Sequence, residues 1–153
     1  MPATAQKKVT VIPADPQVTE KDFRKKHLRV APYCRVSTDS KEQLDSYKAQ
    51  IEYYTEKIKS QAGWSMVDMF ADEGKTGTST KKRKDFNRMI RACEKGKVDL
   101  IITKSVSRFC RNTLDGLDYV RKLKRMGVGV YFEKENVNTL YMDNEMILTF
   151  MMS

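Results

Sequence analysis

Residues 98–103 read VDLIIT, a short run in which Asp99 is the only charged residue. Nearly continuous apolar content over so few residues is typical of a strand buried on both faces of a parallel sheet. The run lies between two segments of helical periodicity, over about 85–95 and about 113–126. The first segment places four apolar side chains on one face: Phe86, Met89, Ile90 and Cys93. A buried strand between two helices is therefore predicted here.

The same alternation continues in both directions along the chain. Upstream, LRVAPY (28–33) and WSMVDMF (64–70) are predicted strands, with a helix between them over 41–60. Downstream, VGVYF (128–132) is a fourth strand, and a last helical run begins near residue 143. This pattern predicts an α/β fold with a mainly parallel sheet of four to five strands, flanked by helices and joined by right-handed crossovers.

Length and composition indicate one basic globular domain. The chain has 153 residues, is 40% hydrophobic and carries a formal net charge of +9. A core of this size suits a single domain, which follows a predicted flexible arm over residues 1–26. Positive charge in this excess favours a polyanionic partner such as nucleic acid, although a lysine-rich solvated face would give the same composition.

The sequence favours a cytoplasmic protein without a membrane partner. It has no apolar run of membrane-spanning length and no signal peptide at its N-terminus. The three cysteines, Cys34, Cys93 and Cys110, are odd in number and lack metal-binding spacing. We expect them to be free thiols packed as small apolar groups in a reducing compartment.

Polar side chains follow each predicted strand. In chain order they are Ser37, then Asp72, then Lys104, Ser107 and Arg108, then Glu133. Because ligand sites of open α/β sheets lie at the carboxyl ends of the strands, we expect a site at this edge. Loops are polar in any protein, so polarity alone does not establish it.

Ser37 is a candidate nucleophile, but the usual means of activating a serine are missing. The single histidine, His27, precedes the first strand, whose six residues span about 20 Å. The acidic residues show no metal-ligand spacing. The loop EGKTG (73–77) has Met69 where a phosphate-binding loop needs a glycine. A Ser–His pair, a metal site and a nucleotide site are therefore disfavoured.

Arginines offer the alternative, because guanidinium groups grip phosphate oxygens and stay charged at any working pH. Arg35 is two residues from Ser37 and shares its side of an extended segment. Arg108 and Arg111 would share a face if SRFCRN (107–112) begins a helical turn. These residues favour attack by a serine on a phosphodiester, with the charge of the transition state stabilised by arginines.

Four segments, in this order, carry a family resemblance. They are YCRVSTDS (33–40), DEGKTGTSTKKRKDF (72–86), IITKSVSRFCRNTLD (101–115) and GVGVYFEKENVNT (127–139). Together they resemble the catalytic domain of the serine recombinases, the resolvase/invertase family. The likeness is greatest to the large serine recombinases of phages and mobile elements, and it covers roughly residues 28–153.

The resemblance implies a site-specific DNA recombinase that uses no metal, nucleotide or other cofactor. Ser37 would attack DNA phosphodiesters and form a 5′-phosphoserine link, and strand exchange and religation would follow. The implied catalytic arginines are Arg35, Arg108 and Arg111. The supporting residues are Tyr33, Gln50, Asp72, Arg83 and Ser107, the last of which stands where many members have an aspartate. The basic residues expected to contact double-stranded DNA are Lys81, Lys82, Arg83, Lys84 and Lys104.

The resemblance also implies homodimers and homotetramers that form through a long C-terminal helix. Residues 142–153 would begin this helix after a catalytic domain over 27–141. Its predicted apolar stripe comprises Met146, Ile147, Phe150 and Met151. A fifth core helix of a monomer is the alternative. Because the family's C-terminal DNA-binding module does not follow, we expect the chain to be part of a longer protein.

Two other classes of protein remain open. One is a non-catalytic basic α/β DNA-binding domain, in which Ser37 only caps a helix. The other is a flavodoxin-like or receiver-like signalling domain, which shares the predicted fold outline. That domain needs an acidic pocket, whereas the acidic pair at 72–73 is followed by lysines.

Overall fold

The computed structural model describes residues 27–36, 40–73 and 83–153. The predicted arm, Ser37, Lys81 and Lys82 lie outside the described residues. The strands are β1 (Leu28–Val36), β2 (Trp64–Met66), β3 (Phe70–Glu73), β4 (Leu100–Thr103), β5 (Gly129–Phe132) and β6 (Val137–Asn138). The helices are α1 (Lys41–Ser60), α2 (Lys84–Glu94), α3 (Val106–Phe109), α4 (Thr113–Arg125) and α5 (Asn144–Met152), with a 3-10 turn at Thr139–Tyr141.

The strands form one mixed sheet in the order β2-β1-β4-β5-β6, and β3 continues the β2 edge alongside β1. β1 pairs in parallel with β2, β3 and β4, and β4 pairs in parallel with β5. Only β6, among the described strands, runs antiparallel to its neighbour. The predicted α/β fold with a mainly parallel sheet is confirmed.

The prediction of one continuous strand over 64–70 is wrong. Met66 pairs with Val30, and Phe70 pairs with Tyr33. Between these two pairs the segment 64–73, here called the outer chain, has one residue more than β1. Along β1, Leu28 and Val30 bond to the outer chain. By strand alternation Pro32 faces the same side, where it has no N–H to donate. The outer chain therefore breaks into β2 and β3.

β6 was not predicted either. After β5 the chain turns back through residues 133–136, and Asn136 adopts a positive φ of 54°. The Asn136 side chain accepts a hydrogen bond from the Tyr131 hydroxyl at 3.2 Å. Two residues, Val137 and Asn138, then pair with β5. A strand of two residues is too short to show a hydrophobic period.

Alternation along the strands divides the core into two layers. On one face, Ala31 and Tyr33 of β1 and Ile101 of β4 pack with α2, α4 and α5. On the other face, Val30 and Cys34 of β1 and Leu100 and Ile102 of β4 pack with α1. The same alternation places each polar residue near a strand end on one face of the sheet or the other. The three cysteines are free and buried, as predicted.

The last helix, α5, only partly matches the predicted apolar stripe. Ile147 and Met151 are buried in the core of this chain, and Phe150 lies against the Phe132 ring at 5.9 Å between centroids. A Cβ at Gly116 of α4 would lie 2.8 Å from the Met151 side chain, so the two helices approach closely there. Of the predicted stripe, Met146 is the exposed member. The exposed apolar side chains on α5 are Met146, Leu148 and Met152.

Candidate active site

The strands β1, β3, β4 and β5 run in parallel, so their carboxyl ends meet at one edge of the sheet, here called the carboxyl edge. The edge carries Tyr33 and Arg35 at the end of β1 and Asp72 at the end of β3. Lys104 directly follows β4, and Glu133 directly follows β5. The predicted residues that follow different strands are thus brought to a common edge.

Asp72 is the hub of the first polar cluster, which we call the Asp72 centre: Asp72, Tyr33, Asp85 and Phe86. The buried Asp72 carboxylate accepts the Tyr33 hydroxyl at 2.7 Å. It also accepts the backbone N–H groups of Asp85 at 2.8 Å and Phe86 at 3.1 Å. These amides belong to the first turn of α2, where an anion is favoured. Asp72 therefore caps α2 from the neighbouring strand.

Tyr33 is held as a neutral hydrogen-bond donor. Burial raises the pKa of its hydroxyl far above the ordinary value, and the hydrogen bond to Asp72 raises the pKa further. The ring packs edge-to-face against Phe86 at 5.4 Å between centroids. A tyrosine fixed in this way orients the neighbouring groups and does not serve as a base at neutral pH.

Arg83 immediately precedes α2 and is half-buried in aromatic surroundings. Its guanidinium carbon lies 3.7 Å from the centroid of the Phe86 ring, and its Nη2 donates to the Phe109 carbonyl. A second, longer contact of 3.5 Å joins Nη2 to the Tyr33 hydroxyl. The Nε atom is buried without a hydrogen-bond partner among the described residues. Arg83 thus links α2 to the end of α3.

Arg108 is brought directly to the end of β1. It lies in the one-turn helix α3, which Ser105 caps by accepting the Arg108 backbone N–H. The Arg108 Nη1 donates to the carbonyl oxygen of Arg35 at 2.7 Å. That carbonyl belongs to the residue two before Ser37 in the chain. The Arg108 guanidinium therefore lies against the backbone of Arg35 at the end of β1.

Arg111 does not share a helix face with Arg108. α3 ends at Phe109, and Cys110 is extended with φ −132° and ψ 156°. Cys110 is buried, with its thiol bonded to the Val106 carbonyl at 3.2 Å, so the chain turns inward between the two arginines. The Arg111 side chain is exposed and has no hydrogen bond to another described residue. The expectation of a shared helical face is wrong.

Three further predicted residues are exposed: Lys104 after β4, Ser107 on α3 and Lys84 at the start of α2. Ser107 Oγ lies 3.0 Å from Ser105 Oγ. Lys104 follows β4, and Lys84 is the first residue of α2. Both lysines are open to solvent, as a phosphate contact would require.

A second polar cluster occupies the opposite face of the carboxyl edge. We call it the Glu133 centre: Glu133, Tyr53, Tyr54 and Lys57. Glu133 accepts the Tyr53 hydroxyl at 2.7 Å and the Tyr54 hydroxyl at 2.6 Å, and it pairs with Lys57 Nζ at 3.3 Å. Burial raises the pKa of Tyr54, and Glu133 raises that pKa further. Sequence reasoning placed Glu133 at the edge but missed these partners.

The Glu133 centre borders an open cleft of about 580 Å³. Gln50, a predicted site residue, lines this cleft together with Tyr54, Lys104 and Lys134. The tyrosine pair Tyr53–Tyr54, one turn after Gln50 on α1, was the available sequence signal. The pair matters because both hydroxyls contact Glu133, and the periodicity of α1 alone could not reveal that contact.

Other groups that could supply chemistry lie elsewhere or do not form a site. His27 Nε2 is 2.8 Å from Ser65 Oγ, at the amino end of β1 and so at the far end of the sheet from the carboxyl edge. No cluster of three or more His, Cys, Asp or Glu within the described ranges is arranged to hold a metal ion. Burial raises the pKa of the Cys34 thiol to about 12, which leaves it protonated at neutral pH. None of the helices in those ranges could span a membrane.

Comparisons with known proteins agree with this architecture. The family described as "Resolvase, N terminal domain" matches residues 30–153. The catalytic domain of TP901-1 integrase is similar with a TM-score of 0.60 and 24% identity, over 81% of this chain and 91% of that one. A resolvase family site-specific recombinase from Streptococcus pneumoniae is similar with a TM-score of 0.57 and 23% identity, over 79% and 83%.

A further solved structure shares somewhat more sequence. The catalytic domain of ISC1926 TnpA, an IS607-like serine recombinase, is 27% identical with a TM-score of 0.55, over 69% of this chain and 70% of that one. The comparison with curated proteins gives no match. With the family match spanning most of the chain, this protein belongs to the resolvase family, and residues 30–153 form the catalytic domain of a serine recombinase.

Proposed function

We propose that this chain catalyses site-specific DNA recombination through a covalent link between Ser37 and DNA. The Ser37 hydroxyl oxygen attacks a backbone phosphorus, and the bond from that phosphorus to the 3′ oxygen breaks. The serine loses its proton, the departing 3′ oxygen gains one, and the 5′-phosphate stays on the enzyme. Attack by a 3′-hydroxyl on this phosphoserine reverses the step and rejoins the strands.

One observation carries the proposal: the Arg108 guanidinium is bonded to the Arg35 carbonyl, two residues before Ser37. A guanidinium fixed there can donate to the non-bridging oxygens of a phosphate attacked by the next residues of the chain. Negative charge grows on those oxygens in the transition state, so pre-positioned cations act where they are most effective. Arg35 and Arg111 are proposed to share this role.

The supporting residues have graded roles in this proposal. Asp72 and Tyr33 fix the start of α2, and thereby the backbone that carries Arg83. Lys84 and Lys104 contact the backbone of double-stranded DNA, as do Lys81 and Lys82, which lie outside the described residues. Such contacts hold DNA without reading its sequence. Ser107 and Gln50 border the same edge.

Assembly into dimers and tetramers is proposed to use the helix within residues 142–153, which follows the catalytic domain over 27–141. The support is the exposed apolar surface of Met146, Leu148 and Met152. Methionine side chains adapt to more than one packing arrangement, which suits subunits that exchange partners.

The decisive experiment is detection of the covalent intermediate. The full-length recombinase is mixed with a nicked copy of its recombination site, which traps the cleaved state, and the adduct is mapped by mass spectrometry. We expect the DNA on Ser37 and no adduct with Ser37→Ala. Ser65→Ala, at the far end of the sheet, is the matched control and should give the wild-type yield. An adduct on another residue, or one that survives Ser37→Ala, would overturn the proposal.

A further inference from the structure

The first half of α1 lies largely outside the core. Residues 41–46 are all exposed, and the first buried side chain of the helix is Tyr54. The second is Ile58, which packs with Leu28 and Val30 beneath β1. The part of α1 that bears Gln50 therefore extends from the sheet before any deep packing begins. Ser40, its N-cap, is separated from Ser37 by only two residues of chain.

Glu133 makes polar contacts at the point where this projecting half meets the sheet. Its side chain is 15% exposed, and it bonds to Tyr53, Tyr54 and Lys57. All three partners lie on α1, within little more than one turn. Glu133 itself follows β5, which is separated from β1 by β4. The Glu133 carboxylate therefore joins the middle of α1 to the end of β5, a strand that is distant from α1 in the sequence.

A charged side chain is costly to desolvate, and a contact that only stabilises the fold does not require one. Hydrophobic residues of similar volume often stabilise a partly buried position equally well, whereas hydrogen-bonded charges fix one geometry. The Tyr53 and Tyr54 hydroxyls reach Glu133 from adjacent residues, and their rings pack edge-to-face at 5.0 Å between centroids. Two donors on adjacent residues leave the helix little freedom to rotate or slide about this point.

We propose that Glu133 is a positioning residue that sets where α1 leaves the sheet, and thereby where Gln50 stands over the carboxyl edge. The effect on catalysis rests on the function proposed above, while the anchoring of α1 does not. Without Glu133, the part of α1 from its N-terminus to the buried Tyr54 frays or changes its angle to the sheet. Gln50 then loses its fixed position relative to Arg108.

The anchoring is tested by amide hydrogen exchange without DNA. In Glu133→Ala we expect the amides of residues 50–57 to exchange about tenfold faster, the scale expected for losing hydrogen bonds to a charged group. The amides of α4 should keep their wild-type rates. Exchange rates for residues 50–57 within about twofold of wild type would overturn the proposal.

Tyr53→Phe is a second variant that cannot disturb folding through the core, because Tyr53 is 50% exposed. It removes one of the two tyrosine hydroxyls and should give a smaller rise in exchange over the same residues. Tyr131→Phe is its matched control, since that hydroxyl bonds to Asn136 and not to α1. It should leave residues 50–57 unchanged. A rise in Tyr131→Phe equal to that in Tyr53→Phe would contradict the assignment.

The catalytic consequence is tested by cleavage at saturating DNA. We expect Glu133→Ala to lower the cleavage rate about tenfold, with DNA affinity unchanged or higher, because a carboxylate beside Lys104 and Lys134 is lost. A variant that was merely unfolded would lose affinity as well. Glu133→Gln keeps an acceptor oxygen and should recover part of the rate. A wild-type cleavage rate in Glu133→Ala would end the positioning role even if exchange had changed.

The two proposals fail separately. If the wild-type protein forms no adduct on Ser37, the recombinase chemistry and the role of Glu133 in it both fall. The anchoring of α1 is still decided by hydrogen exchange. If the adduct forms but Glu133→Ala behaves as wild type in both measurements, only the positioning proposal falls.

Discussion

The Asp72 centre and the Glu133 centre lie on opposite faces of the same sheet edge; Asp72 accepts one tyrosine hydroxyl and Glu133 accepts two. They differ in what else the carboxylate holds. Asp72 also accepts two backbone amides from α2, the next helix in the chain. Among the described residues, the Glu133 carboxylate accepts from side chains only, all on α1, which lies far away in sequence. The first centre is closed and buried, whereas the second borders a cleft.

This difference indicates that Asp72 is needed for the fold, whereas Glu133 mainly sets the position of α1. Backbone amides at a helix start have no other partner when buried, so Asp72 is required wherever α2 is folded. Tyr53 and Lys57 can turn to water if Glu133 is removed. Loss of Asp72 should therefore be felt by the whole fold, and loss of Glu133 mainly by the position of one helix.

The largest expected effect concerns Arg108, which lies at the same sheet edge and belongs to neither centre. Its guanidinium is exposed and bonds to the Arg35 carbonyl, so its removal should leave the free energy of unfolding nearly unchanged. Under the proposed function, Arg108→Ala should slow DNA cleavage about 10²–10³-fold. Arg108→Lys should also be poor, because an ammonium group cannot reproduce the planar fork.

Single-turnover cleavage and chemical denaturation, measured on the same samples, test this prediction. The matched control is Arg121→Ala on α4, another arginine, but one outside the proposed site. Arg121→Ala should cleave at the wild-type rate. If Arg108→Lys kept full activity, a point charge would suffice and the bidentate grip on phosphate would be wrong.

The second prediction compares the two carboxylates directly. Asp72→Ala should lower the free energy of unfolding by about 3 kcal/mol, because it leaves three donors unpaired, two of them buried and one partly buried. Glu133→Ala should cost about 1–2 kcal/mol, because two of its three partners can reach solvent. Urea denaturation gives both values. Asp72→Asn keeps an acceptor and should recover part of the loss; equal costs for the two alanine variants would remove the distinction between the centres.

Much of the fold could be predicted because its strands and helices are long enough to show their periods. α1, α2 and α4 lie within a residue or two of the predicted ranges. The break between β2 and β3 escaped prediction because it arises from Pro32 on a neighbouring strand, not from residues 64–70 themselves. β6 escaped because two residues show no period.

The candidate site divides in the same way. The edge itself could be predicted, since residues that follow parallel strands must meet there. The three-residue spacing of Arg108 and Arg111 suggested one helix face, but burial of Cys110 ends α3 between them. The partners of Glu133 could not be foreseen, because contact between α1 and Glu133 is set by how the helix crosses the sheet. Sequence patterns show where residues lie along a helix or strand, but they do not determine how a helix crosses the sheet.

The smallest expected effect comes from a third carboxylate, Asp68, at the exposed break between β2 and β3. Its hydrogen bond from Arg88 at 2.7 Å holds the pKa of Asp68 below its ordinary value. Both side chains are largely in solvent, with 57% and 41% exposure, so the pair should contribute less than about 1 kcal/mol. Asp68 thus shows what the same chemistry is worth without burial.

The pH dependence of this contribution has a definite sign. Because the folded pKa lies below the unfolded value of about 3.9, the stabilisation is fully present above that value and is lost as the pH falls through the folded pKa. Melting temperatures of wild type and Asp68→Asn should differ slightly near neutral pH and converge in acid. Added salt should shrink the difference near neutral pH, since exposed charges are screened. A difference that persisted undiminished in acid could not come from the ionised carboxylate, and the pair would then act through neutral hydrogen bonds alone.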